Sequence, residues 1–206
     1  SSLFMKIGID LDGPLLHFTE AYIRFHNRVY GTSFRLQDIT EYDMSKRLGV
    51  SHEQHGKDIF TFFASAEYQN IKPFGAALRQ VRELAQQHTL CIVTARSLDH
   101  QALTATTVKK HYDGLFQAIY HTTGNGWFLR PEKAQVCKEV GLDLLIEDYI
   151  DNAMDVMREG IPAVLISRPW NKEVIGHPYL RRTRWSDIQT AMKKTLGRKN
   201  TLISSS

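Results

Sequence analysis

Two aspartates, Asp10 and Asp12, stand two positions apart in IGIDLDGPLL, residues 7–16, directly after an apolar run. Residues two apart in a strand point the same way, so both carboxylates are expected beyond the strand's C-terminal end. Like charges that close repel. A divalent cation would offset the repulsion. Mg2+ suits the pair, because it takes oxygen ligands and needs only one or two carboxylates beside water and phosphate oxygens. An EF-hand calcium loop fails on spacing, since Gly13 is fourth in the run and not sixth. On this run alone two other readings stay open: the metal-holding D-x-D of a glycosyltransferase, and an ordinary strand-end turn.

Other segments bring compatible groups to the ends of apolar runs. IVTAR, residues 92–96, closes one of them. Thr94 offers a hydroxyl to a phosphate oxygen, and Ala95 and Arg96 add backbone amides. The Arg96 side chain has two readings, a partner for a substrate anion or a surface salt bridge. LLIEDYIDNA, residues 144–153, closes another run and delivers Glu147 and Asp148 where the ion would sit. Asn152 follows about one helical turn later. Lys133 opens the preceding helix and can balance a phosphate and the carboxylates. Alone it would read as a solvent-facing lysine; the surrounding acids give it a purpose.

These groups need elements to position them. Five short apolar runs read as buried strands: 3–9, 89–94, 116–121, 143–148 and 161–167. Between them lie amphipathic segments of helix length, 76–88, 99–112, 131–141 and 150–160. Asp99 is the expected N-cap of the second. The third starts at Pro131 and is followed by Gly141, the usual asymmetry of helix ends. Alternation of strand and helix predicts an α/β fold, a Rossmann-like parallel sheet with helices on both faces. Such sheets bind ligands beyond the C-terminal ends of their strands. Residues 16–72 break the alternation. They are aromatic and helical in pattern, and read as a small helical cap inserted after the first strand, leaving a core of 1–15 and 73–206.

The composition is that of an ordinary globular chain: 206 residues, 42% hydrophobic, 23% charged, with no apolar stretch long enough to span a bilayer. Two cysteines, Cys91 and Cys137, make no disulfide framework, and SSLFMKIGID carries no secretory pattern. The cytoplasm is the expected location. The net charge of +4 gathers toward the C-terminus, including Arg181, Arg182, Arg184, Lys193, Lys194, Arg198 and Lys199. No stacking series or nucleic-acid motif accompanies it, so a solvated surface is expected and nucleic acid is not an expected partner. HEQH, 52–55, lacks the H-E-x-x-H spacing of a zinc helix. His17 reads as structural, TTGNGW, 122–127, as a turn that could rim a pocket, and RPWN, 168–171, as a loop whose tryptophan packs.

D-x-D-G after strand one, a strand-end threonine, a lysine and an acidic pair before a helix resemble, in that order, the four motifs of the haloacid dehalogenase-like (HAD) phosphatase superfamily. The likeness spans about residues 5–170, and the inserted helices resemble its C1 cap. DLDGPLLHF, KPFGAALRQVREL, LLIEDYIDNA and LISRPWN look most like the 5'(3')-deoxyribonucleotidases and their bacterial and phage relatives. The resemblance implies that Asp10 is the nucleophile that forms an aspartyl phosphate, and that Asp12 is the acid and base. It implies metal ligation by Asp10, Asp148 and the backbone carbonyl of Asp12, with Glu147 and Asn152 in support, and phosphate binding by Thr94 and Lys133. Two departures stand out. Pro14 replaces the usual threonine or valine, and the second motif reads T-A-R, as in bacterial relatives, not the T-S-P-like form.

The expected function is a Mg2+-dependent phosphomonoester hydrolase, a 5'-nucleotidase acting on (deoxy)nucleoside monophosphates. The partner is thus a small phosphorylated substrate, with no membrane involved and a homodimer left open. The alternatives are a phosphatase of another small phosphometabolite or of nucleic-acid ends, and a non-catalytic nucleotide-binding module on the same fold.

Overall fold

The computed structural model describes residues 3–123, 132–177 and 180–203, with side chains as far as residue 197. Six strands form one sheet: β1 (Lys6–Ile9), β2 (Thr89–Ser97), β3 (Ala118–Thr123), β4 (Leu144–Glu147), β5 (Ala163–Ile166) and β6 (Arg181–Thr183). Every pairing is parallel, in the order β3-β2-β1-β4-β5-β6.

The apolar runs become central strands because both of their faces are covered. Ile7, Ile9, Ile92, Ile146, Val164 and Ile166 point into one buried cluster. Their alternating neighbours Cys91, Val93, Leu145, Ala163 and Leu165 point into a second, across the sheet. Gly8 carries no side chain where one would strike Leu142: a Cβ there would lie 2.4 Å from the leucine Cδ1. Helices α5 (Gly75–Ala85), α6 (Gln101–Tyr112), α7 (Lys133–Val140), α8 (Ile150–Arg158) and α9 (Ile188–Ile203) connect or flank the strands. Gly141 ends α7 in the left-handed conformation, as the sequence predicts.

Three details differ from expectation. The first strand begins at Lys6, not Leu3, and Leu3 and Phe4 are exposed. β6, made from Arg-Arg-Thr, was not foreseen, since an edge strand can form by backbone pairing with little apolar content. Asp99 does not cap α6. It lies in a 3-10 turn whose N-cap is Ser97, and the serine hydroxyl accepts the Asp99 amide at 3.2 Å. Pro131, Gly124–Trp127 and the Arg198 and Lys199 side chains lie outside what is described.

Between β1 and α5 come four helices: α1 (Phe18–Tyr30), α2 (Met44–Leu48), α3 (His52–Phe63) and α4 (Ala66–Gln69). The chain leaves and returns side by side. The His17 amide donates to Lys72 O at 3.0 Å and the Phe74 amide to Leu15 O at 3.0 Å, with Leu16 bridged antiparallel to Pro73. Phe18, Tyr22, Phe25, Phe62, Phe63 and Tyr68 pack edge-to-face or tilted against one another, so most aromatics of this segment form its own core. Among the described residues no helix is long and apolar enough to cross a membrane.

Candidate active site

The C-terminal ends of β2, β1 and β4 lie side by side and bring the predicted residues together. Asp10 follows β1 directly, and its amide donates to Ile146 O of β4 at 2.9 Å. Lys133, the first residue of α7, is buried between two acids. Its ammonium donates to Asp10 Oδ1 and to Glu147 Oε1, each at 2.7 Å. A buried lysine is tolerable only when paired, and these two carboxylates hold its pKa above the usual lysine range despite the cost of burial. Asp10 Oδ2 accepts no hydrogen bond from the described residues.

Glu147 is fully occupied. Its Oε2 accepts the amides of Asp148 at 2.7 Å and Tyr149 at 3.0 Å, and its Oε1 also takes Asn152 Nδ2 at 2.9 Å. Burial opposes its ionisation, but Lys133 and the two amides prevail and hold its pKa low. Asp148 is the reverse case. It is completely buried, and neither carboxylate oxygen has a hydrogen-bond partner among the described residues. Burial, then Glu147 and Asp10, push its pKa well above the carboxylate range. Burial likewise raises Asp10, to about 7, although Lys133 pulls the other way.

A buried carboxylate left without donors is costly unless a cation takes their place. Ligand oxygens of Asp10, Glu147 and Asp148 all lie within 4.8 Å of one another. Since Glu147 is already saturated, Asp10 and Asp148 are the donors free to hold a hard cation, and an all-oxygen set suits Mg2+. Gly13 permits this crowding. Its φ is +113°, and a Cβ there would sit 1.9 Å from Asp148 Oδ2.

Asp12 does not join this cluster. The strand stops at Ile9 and the chain turns through Asp12 and Leu16; both aspartates line one cavity, but the Asp12 carboxylate lies outside the group formed by Asp10, Glu147 and Asp148. Asp12 instead meets Arg96, whose Nε and Nη2 donate to its two oxygens at 2.7 Å each. Arg96 is therefore no surface salt bridge: it is 5% exposed, lines the cavity and is paired with Asp12. Its backbone amide is committed too, donating to Thr94 Oγ1 at 3.2 Å. Thr94 and Ala95 both line the cavity above the acids.

That cavity, about 280 Å³, runs from Asp10, Asp12 and Asp148 to Phe18, Tyr42, Phe60 and Phe63 of the inserted segment. Tyr42 stacks on Tyr149 with ring centroids 3.8 Å apart, closing one side. Trp170 lies on the wall, where the sequence suggested mere packing. Sequence reasoning missed Asn171, whose buried amide donates to Asp148 O at 2.9 Å and fixes the loop that carries the aspartate. It also missed Tyr68. A buried asparagine or tyrosine has no local signal that distinguishes it from a surface one. Of the remaining candidates, His17 pairs with Glu20 and rests on Phe74. In HEQH, His52 pairs with Asp43, whereas His55 bonds Tyr22 and lines the cavity.

The sheet order, the inserted helices and the buried acid–lysine cluster define a HAD-like hydrolase fold. The haloacid dehalogenase-like hydrolase SP0104 of Streptococcus pneumoniae has the same fold, with a TM-score of 0.66 at 16% identity over 91% of this chain and 97% of that one. CbbY of Rhodobacter sphaeroides, solved with phosphate, gives 0.60 at 14% identity over 90% and 96%. The family can be stated more narrowly. Residues 4–196 match the profile of the 5' nucleotidase, deoxy (pyrimidine), cytosolic type C (NT5C) family, and the chain belongs to it. A Clostridium acetobutylicum protein named as a nucleotidase is 27% identical over 191 residues, 89% of this chain and 91% of its own. YqfW of Bacillus subtilis is 26% identical over 185 residues, 88% and 90%. The chain is accordingly a HAD-type phosphatase.

Proposed function

We propose that this phosphatase is a Mg2+-dependent 5'-nucleotidase that passes the phosphoryl group through Asp10. The observation that carries the reading is the pairing of an unpartnered, buried Asp148 with a lysine-bound Asp10 at the floor of an aromatic cavity. Asp10, Asp148 and the backbone carbonyl of Asp12 would hold the ion, which when bound supplies charge neutralisation for the transferring phosphoryl group.

The chain's own residues carry the rest. Lys133 fixes Asp10 through Oδ1 and so orients the carboxylate that serves as nucleophile. Attack on phosphorus forms the Asp10–phosphate bond and breaks the ester bond, and the departing alcohol oxygen takes a proton from Asp12. Water then gives a proton back to Asp12 as its oxygen attacks phosphorus, releasing inorganic phosphate and Asp10. Thr94 and Ala95 face the phosphate, and residues 16–72 act as the cap that excludes bulk water.

The family and the cavity both support this substrate class. At about 280 Å³ it lies just under the roughly 300–1,000 Å³ typical of small-ligand pockets, room for one nucleoside-sized group. Among the described lining residues the one guanidinium is already given to Asp12, so a second phosphate finds no counter-ion. This favours nucleoside monophosphates, deoxy forms included, over sugar bisphosphates. A panel of 5'-mononucleotides and sugar phosphates, assayed for released phosphate with MgCl2 and with EDTA, tests the reading. Turnover should be highest on mononucleotides and vanish in EDTA. Preference for sugar phosphates, or unchanged activity in EDTA, would defeat it.

A further inference from the structure

Arg96 departs from a simple phosphate-binding part. Its guanidinium forms a two-point fork with Asp12, the geometry that only arginine provides. The remaining nitrogen, Nη1, donates to Tyr68 Oη at 2.6 Å and to Thr104 Oγ1 at 3.3 Å. Thr107 gives its one hydroxyl proton to Leu103 O at 2.9 Å, so at 2.8 Å its oxygen accepts from Tyr68, which in turn accepts from Arg96. The direction of every bond in this chain is thus fixed, from the α6 backbone through a tyrosine of the inserted segment to Asp12 beside the nucleophile. Rings of Phe63, Tyr68 and Phe18 lie 5.0, 5.2 and 5.8 Å from the guanidinium carbon, so three residues of that segment also wall it in.

We propose that Arg96 is the positioning residue of Asp12, and that Tyr68 of the inserted segment holds Arg96 in register. The proposal rests on the reading of Asp12 as proton donor and acceptor, and it assigns Arg96 no contact with substrate. Its consequence is that packing of the inserted helices on the core is felt at the reacting carboxylate through two side chains. A lysine at 96 keeps the charge but cannot reproduce the fork.

The test compares Arg96→Lys, Tyr68→Phe, Asp12→Asn and Asp10→Asn, each checked by thermal melting. With a nucleoside monophosphate, Arg96→Lys should lower kcat on the order of 100-fold, the low end of what general acid–base catalysis supplies, with KM moved by no more than a few-fold. Tyr68→Phe should move kcat the same way by less. With p-nitrophenyl phosphate, whose leaving group needs no proton, Arg96→Lys should release a rapid burst of nitrophenolate equal to enzyme and then turn over slowly. Arg96→Lys added to Asp12→Asn should cost nothing more, because the residue acts through Asp12. A raised KM with kcat intact would overturn the proposal and assign Arg96 to substrate binding. Additive losses in the double variant would overturn it too. If Arg96→Lys does not fold, the kcat and KM split in Tyr68→Phe decides by the same criteria. Turnover or a burst in Asp10→Asn would instead bring down the proposed function.

Discussion

Replacing Gly13 by alanine should remove metal binding by collision alone. The added Cβ would lie 1.9 Å from Asp148 Oδ2 and 2.8 Å from its Cγ, where real Cβ contacts essentially never fall below 3.0 Å. Asp148 cannot retreat cheaply, since its amide is held by Glu147 and its carbonyl by Asn171. Strain adds to the clash, because φ is +113° at Gly13 and a side chain in such a region costs roughly 1–3 kcal/mol. For a chain of this size each kcal/mol lowers Tm by roughly 2–4 °C, so a fall of roughly 2–12 °C is expected from the strain. The assay is thermal melting with and without MgCl2, beside phosphate release. Wild type should gain Tm with Mg2+, whereas Gly13→Ala should gain none and lose turnover. Asp148→Asn serves as the unstrained control. It too should lose the Mg2+ gain, yet without metal at neutral pH it should melt no lower than wild type, because it removes a buried, partnerless carboxyl that the fold holds protonated at a cost in stability. A Gly13→Ala protein with the wild-type Mg2+ gain and activity would refute the reasoning.

Lys133→Met should strand two buried carboxylates, Asp10 and Glu147, and destabilise the metal-free protein by about 3–5 kcal/mol in urea titrations, with no turnover. Retained stability would show that the three groups are not coupled as described. Stability should also depend on pH with a defined sign. Burial raises Asp10 to about 7 and Asp148 well above the carboxylate range, so the folded state keeps protons that the unfolded chain has lost. The stability that these two groups contribute to the metal-free protein should therefore fall as pH rises from about 4 to about 7, a loss that an Asp10→Asn, Asp148→Asn variant should not show. Because Mg2+ needs ionised ligands, its Tm gain should be larger at pH 7.5 than at pH 5.5. Equal gains at both pH values would contradict the account.

How much of this was legible in the sequence depended on distance along the chain. The parallel sheet was readable because strands buried on both faces run as solid apolar blocks, such as Leu144–Ile146 and Ala163–Ile166. Asp10, Thr94, Glu147 and Asp148 were readable because each stands at the end of such a block. β6 was not, since Arg181–Thr183 has no apolar pattern and takes its form from pairing with β5. The placement of Asp12 was half visible. Its place beside Asp10 could be read, but its turn toward Arg96, 84 residues away, is a tertiary contact with no local signature. Asn171 and Tyr68 were hidden for the same reason: their value lies in which distant backbone or side chain they meet.

The account turns on one chemical event, transfer of a phosphoryl group to Asp10. Rapid acid quenching of the enzyme during turnover of a mononucleotide with Mg2+, followed by borohydride reduction and peptide mass spectrometry, reads it directly. An aspartyl phosphate is reduced to homoserine, so that product should be found at position 10 and be absent from Asp10→Asn or from EDTA-treated enzyme. Phosphate release at the full rate with no such modification, or with the modification at another carboxylate, would contradict the account.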